Sequence, residues 1–191
     1  SDVYKRQYEA GVRLIEEIKD EIMYLESIIN ALDIATTEND LNNIKEELII
    51  TGYIKKNSKS KSKDNKNNKP LHYISSDGFD MYVGKNNLQN DELTFKFASN
   101  SDWWFHAKQM PGSHVIVKTN GKELPDRTFE EAAALAAYYS KGRDLDKVEV
   151  DYVLKKEVKK PAAAKPGFVV YYTNYSLIAI ADIKGIKEVT G

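Results

Sequence analysis

The chain has 191 residues, no cysteine and a formal net charge of −1 at neutral pH. That length suits one real core plus an accessory element, and the missing cysteines exclude a disulfide framework and zinc-thiolate sites. No run of about 18 apolar residues offers a membrane span and no secretory signal opens the sequence, so a cytoplasmic protein without membrane association is expected.

The small net charge hides three compositions in series. Residues 1–50 carry 5 Lys/Arg against 12 Asp/Glu, residues 51–70 carry 7 Lys against one Asp, and residues 71–191 carry 16 of each sign. Three segments are expected: a helical coiled-coil arm over 1–54, a flexible Lys/Asn/Ser-rich linker over 55–70, and an α+β domain over 71–191.

In the arm, Ile15, Ile18, Ile22, Leu25, Ile29 and Leu32 follow a 3-4-3-4-3 spacing. This heptad seam predicts a helix of about 30 residues that packs lengthwise on another helix. Thr37 is the expected cap of a second helix, Leu41, Ile44 and Leu48 its seam, and Gly52 its stop. At 1.5 Å per residue the helices are ~45 Å and roughly 20 Å long, so the stripe on residues 8–25 lacks a partner. The expected partner is an upstream helix of a longer protein, with a homodimer of this fragment through the seam as a consequence. The alternative is an amphipathic helix docked on the main domain. The linker, Lys55 to Lys69, has no apolar residue to offset ordering entropy. Its charge would still attract a polyanion.

The last segment predicts a mostly antiparallel sheet with one main packed helix. Strands are expected on both sides of the Ser75–Gly78 turn, at Thr94–Ala98, at Asp102–Ala107, from Val115 and over Val148–Leu154. Phe168–Tyr172 and Leu177–Ile180 read as a final hairpin. Thr128–Glu131 reads as a capping box that opens an alanine-rich helix. Asn86, Asn87 and Asn90 fit turn chemistry.

The densest window is Asp102 to Val115. On an extended strand, Trp103, Phe105 and Ala107 share an apolar face, while Asp102, Trp104 and His106 share the other. Pro111-Gly112 should turn the chain and bring Ser113 and His114 back beside it. His106 and His114 read either as structural residues that hold the turn, or with Trp104 as a surface that stacks on bases. A metal site lacks a third ligand and the usual spacings, and Ser113 next to His114 does not supply nucleophile–base geometry. Lys155, Lys156, Lys159, Lys160 and Lys165 make a positive patch, a solvated loop or a phosphate contact. No cofactor motif is present.

Gly78-Phe-Asp-Met-Tyr-Val-Gly-Lys-Asn-Asn87, Asp102-x-Trp-Phe-His-Ala107, Pro111-Gly-Ser-His-Val115, Val158-Lys-Lys-Pro161 and Lys165-Pro-Gly167 together resemble the NFACT-R domain. Glu21 to Tyr53 resembles the end of the coiled coil that precedes it in the RqcH, or fibronectin-binding protein A, family, whose eukaryotic relative is NEMF. The resemblance implies an RNA-binding, non-catalytic part of a ribosome-associated quality-control factor. Its partners would be the large ribosomal subunit (rRNA and stalk base) and tRNA, and it would support alanine tailing with chemistry supplied by the ribosome. It carries over Asp102, Trp104, His106, Pro111, Gly112, Ser113 and His114, the basic stretch, and the Lys85-Asn86-Asn87 loop, where Lys85 replaces the usual arginine. A fibronectin-binding adhesin and a His-based hydrolase or metal-dependent nuclease are the competing expectations.

Overall fold

The computed structural model describes residues 1–57 and 68–190. Helix α1 (Asp2–Ile34) is followed by α2 (Glu38–Ile50). As expected, Thr37 caps α2: its hydroxyl accepts from Asp40 N at 3.1 Å while Asp40 Oδ2 accepts from Thr37 N at 3.3 Å. Gly52, at φ +86°, ends the helix where the Tyr53 N–H reaches back to Leu48 O.

The helices meet through Tyr24, Ile28, Ala31 and Ile44, with Ala35 and Leu48 at the margin. This is not the heptad seam. Ile15, Ile18, Ile22, Leu25, Ile29 and Leu32 are 38% to 58% exposed, and Leu41 on α2 is also exposed. The contact face is turned away because Tyr24 is drawn to α2 by its hydroxyl, which donates to Glu47 Oε2 at 2.6 Å. The α1 stripe therefore stays open along its length.

The domain is α+β. Strands β1 (Leu71–Ile74), β2 (Asp80–Val83), β3 (Trp103–Ala107), β4 (Val115–Val117), β5 (Val148–Leu154), β6 (Tyr175–Ala179) and β7 (Lys187–Glu188) form one antiparallel sheet in the order β6-β5-β3-β4-β2-β1-β7. On one face, α4 (Asp126–Tyr138) lays Ala132, Ala133, Leu135, Ala136 and Ala137 against Phe105, Ala107, Val115, Val117 and Val150. Alanines let the helix approach the sheet closely, which raises packing density over the central strands. The opposite face buries Trp104, Ile116 and Val153 against Leu93 and Val158.

Three local expectations change. Thr94–Ala98 is not a strand: α3 (Asn87–Glu92) runs on into a π-helical turn, Leu93–Phe97. Its buried residues, Leu93, Thr94 and Ala98, do not alternate. Phe168–Tyr172 makes no hairpin with β6, which pairs with β5 instead. Only Val170 forms a bridge, with Lys159, because the Lys160 ammonium takes the carbonyls of Lys165 (2.7 Å) and Phe168 (2.9 Å). Thr128 lies inside α4 rather than at its cap: its hydroxyl contacts Ser75 Oγ and Asp77 Oδ2, and Glu131 accepts from Ser76 N. The helix is thus tied to the β1–β2 turn. Of the expected linker, residues 58–67 lie outside the described residues. At its end Asn68 is anchored, its Oδ1 accepting from Asn43 and Gln89 at 2.8 Å each.

Candidate nucleic-acid interface

Trp104 and His106 leave β3 on the face opposite α4, and a cavity of about 530 Å³ opens beside them. Its walls come from five places: Asp20, Met23, Tyr24 and Ser27 of α1; Asn87 of α3; Trp104 and His106 of β3; Gln109 to Gly112 and His114 of the β3–β4 connection; and the loop from Pro161 to Tyr171. The segments that carry the resemblance converge here, although they are far apart in the chain.

The floor is aromatic and uncharged. The rings of Trp104 and His106 lie parallel, 5.6 Å apart, and His114 and Tyr171 meet the indole at 5.2 and 5.0 Å. Burial pushes the His106 imidazolium down to about 4, against a smaller opposing pull from the Asp151 carboxylate. Burial also lowers His114 well below its ordinary value, and His106 and Lys160 push it further down. His114 is fixed as the Nε2–H tautomer, because Gly167 O at 3.1 Å can only accept. Its Nδ1 then accepts from Thr94 Oγ1 at 2.8 Å, and Asn90 Oδ1 accepts from its backbone N–H at 3.1 Å. His114 is a rivet under the cavity; His106, half-buried, is part of its surface. Trp104 Nε1 and Ser113 Oγ are buried without a hydrogen-bond partner among the described residues.

Two glycines shape the rim. Gly112 forms a bridge with Ser140, and a Cβ there would stand 2.9 Å from Ser140 Cβ. Only glycine lets the Pro111 turn dock on the end of α4. Gly167 sits at φ +80°, and a Cβ would meet Asn87 Oδ1 at 2.4 Å. It admits the loop close to the start of α3.

Several expected site residues serve the architecture instead. Asp102 is buried and does not share the cavity with Trp104 and His106. Its carboxylate accepts from Ser99 N (2.7 Å), Thr119 N (3.0 Å) and the Lys118 ammonium (2.6 Å), which saturates it at the start of β3. The Lys85 ammonium is held by Asp40 Oδ1 at 2.7 Å. Burial opposes ionisation of Asp40, but Lys85 and the N–H groups of Thr36 and Thr37 outweigh it and lower its pKa. Asn86 caps α3 by accepting from Gln89 N. Asn87 donates to Ser27 Oγ (2.8 Å) and Glu47 Oε2 (3.0 Å). Lys85, Asn87 and Glu47 thereby hold the arm against the domain, and so set one wall of the cavity.

The basic residues divide in the same way. Lys160 is spent on Asp91 at 3.0 Å and on two carbonyls. Lys155 is half-buried; Lys156, Lys159 and Lys165 are exposed. The Lys159 ammonium donates to the Lys156 carbonyl, and Lys165 lies 4.9 Å over the Tyr24 ring at the cavity edge. Sequence reasoning missed Tyr24, Met23, Asp151 and Tyr171. Asp151 had a visible signal, as the polar residue on the β5 face that pairs with His106, and it accepts from Tyr171 and Ser176 at 2.7 Å each. Among the described residues, no three His, Asp or Glu side chains gather as a metal site.

Residues 69–173 match the family model described as the NFACT protein RNA binding domain, and residues 4–67 match the NFACT N-terminal and middle domains. The class is thus an RNA-binding α+β module carried on a helical arm. The chain is 48% identical over 159 residues to the Rqc2 homolog RqcH of Streptococcus suis, covering 83% of this chain and 28% of that protein. Against the Rqc2 homolog RqcH of Bacillus subtilis it is 40% identical over 176 residues, 91% of this chain and 30% of that one. A solved structure, the C-terminal part of the fibronectin/fibrinogen-binding protein from Streptococcus suis, superposes with a TM-score of 0.86 at 43% identity, covering 96% of this chain and 74% of that chain. The chain belongs to the NFACT family. It spans about three-tenths of the length of these curated relatives.

Proposed function

We propose that this chain is the arm and RNA-binding portion of a cytoplasmic ribosome-associated quality-control factor. It would engage large ribosomal subunits that retain peptidyl-tRNA, through rRNA and tRNA, and support alanine tailing without catalysing it. The observation that carries this reading is the meeting of the family's separate motifs around one aromatic cavity, bordered by Lys165 and near Lys156 and Lys159, whose ammonium groups have no carboxylate partner among the described residues. The exposed α1 stripe is consistent with an upstream helix of the full-length protein as its neighbour, and in the isolated fragment with a homodimer.

The test is binding to purified large ribosomal subunits and to tRNA, titrated across salt. Lys156→Ala/Lys159→Ala should weaken binding and lower the slope of log affinity against log salt by roughly 1.5. Lys85→Ala, whose ammonium is already neutralised by Asp40, should leave that slope unchanged. Saturable binding with no change in slope in the lysine variant would remove the phosphate role. A second reading, adhesion, has the name of the Streptococcus suis structure behind it. Salt-resistant binding to fibronectin together with no binding to RNA would favour it.

A further inference from the structure

The aromatic floor and the charged rim of the cavity differ in what they can hold. In the floor Trp104 and His114 are fully buried, so the half-buried rings of His106 and Tyr171 present its surface, and burial keeps both histidines neutral. A phosphate would find no cation there, and dehydrating one would be costly. At the rim the charges are split. The Pro161–Tyr171 side carries Lys165, while Lys159, bridged to Val170 between the lining residues Val169 and Tyr171, shares the face of Val170 that turns away from the cavity. The α1 side carries Asp20, and the turn offers the exposed Gln109 amide.

We infer that the cavity takes one unpaired nucleobase from a single-stranded RNA segment, stacked against the His106 and Tyr171 rings, with its phosphate on the Lys165 side. This deepens the RNA-binding reading and rests on it. A base is flat, neutral and apolar on its faces, which suits the floor. Its edge carries donors and acceptors, which the Asp20 carboxylate and the Gln109 amide complement. Its phosphate carries the charge that Lys165 complements. A volume of about 530 Å³ lies within the usual range for small-ligand sites and leaves room for the ribose. A duplex cannot deliver a base into such a slot without unpairing it. The site therefore selects single strands, loops and ends, and it engages the arm and the domain together, because α1 forms one wall.

The experiment uses the full chain and a labelled single-stranded RNA dodecamer. The comparisons are the same strand annealed to its complement and the same strand with all bases removed at its centre. Ala164→Trp and Met23→Trp each fill the cavity from opposite walls without removing a lysine. The single strand should bind about tenfold or more tightly than either comparison RNA. Both variants should lose about that factor while keeping the wild-type salt slope. Equal affinity for single strand, duplex and abasic strand would overturn the inference, and so would wild-type affinity in both filled variants. Either result, with salt-sensitive binding retained, would leave the broader RNA-binding reading standing. If an uncharged leucine-rich peptide displaces the RNA from wild type but not from the filled variants, the slot belongs to a peptide and the inference fails.

Discussion

On one face of β3, Trp103, Phe105 and Ala107 meet α4 and close into the main apolar core. On the other, Trp104 and His106 meet the arm, the turn and the loop around an open cavity. The residues alternate along one five-residue strand, and the partners differ. A helix with an alanine face can lie flush on a sheet. Three separate segments, each held by its own hydrogen bonds, leave a gap at their junction. The difference shows where this fold spends its packing and where it leaves room for a ligand.

Three changes test that division. Phe105 is fully buried between α4 and the sheet. Phe105→Ala should cost about 3–5 kcal/mol in denaturant unfolding. A loss below about 1 kcal/mol would show that the closed face is loosely packed.

Acid should act through the open face. Burial holds His106 at about 4, below its ordinary 6.5. Between these values the unfolded chain binds a proton that the native chain does not. Stability is therefore fully present above about pH 6.5 and is lost as pH falls towards 4. His114 is pushed the same way. Glu47, raised by burial, works in the opposite sense, its contribution falling as pH rises. Replacing His106 with Gln should flatten the acid slope by up to ~1.4 kcal/mol per pH unit. Unfolding midpoints across that window would read it, and an unaltered slope would mean that the imidazole is solvated.

The smallest effect belongs to the cavity wall. Met23 is 43% exposed, so Met23→Ala should change stability by no more than about 0.5 kcal/mol. A cost near that of Phe105→Ala would make the wall part of the core and erase the contrast.

Much of this was legible in the chain itself. Period-2 alternation around Trp103–Ala107 assigned the two faces of β3, because side chains on a strand have nowhere else to point. Thr37 with Asp40, and Gly78 at φ +86° in the β1–β2 turn, set their local structure through nearest-neighbour hydrogen bonds and backbone freedom. The heptad of α1 was equally plain, as was its lack of a partner. Local spacing could not decide between competing long-range partners. Thr128 looked like a cap but bonds to a turn about 50 residues away. Lys85 and Lys160 looked like free cations, yet they are bound to Asp40 and Asp91. Asp102 looked like a site carboxylate, yet three donors saturate it.

The sequence by itself determined the α+β class, the helical arm and the two-faced strand, since each rests on periodicity or on contacts within a few residues. Only the tertiary structure decided the strand order, which lysines remain free and which histidine faces the cavity. It alone brought Tyr24 and Met23 of the arm against Trp104 and His106. Those outcomes depend on which buried charge finds which counter-charge, a competition settled by desolvation and geometry across the whole fold.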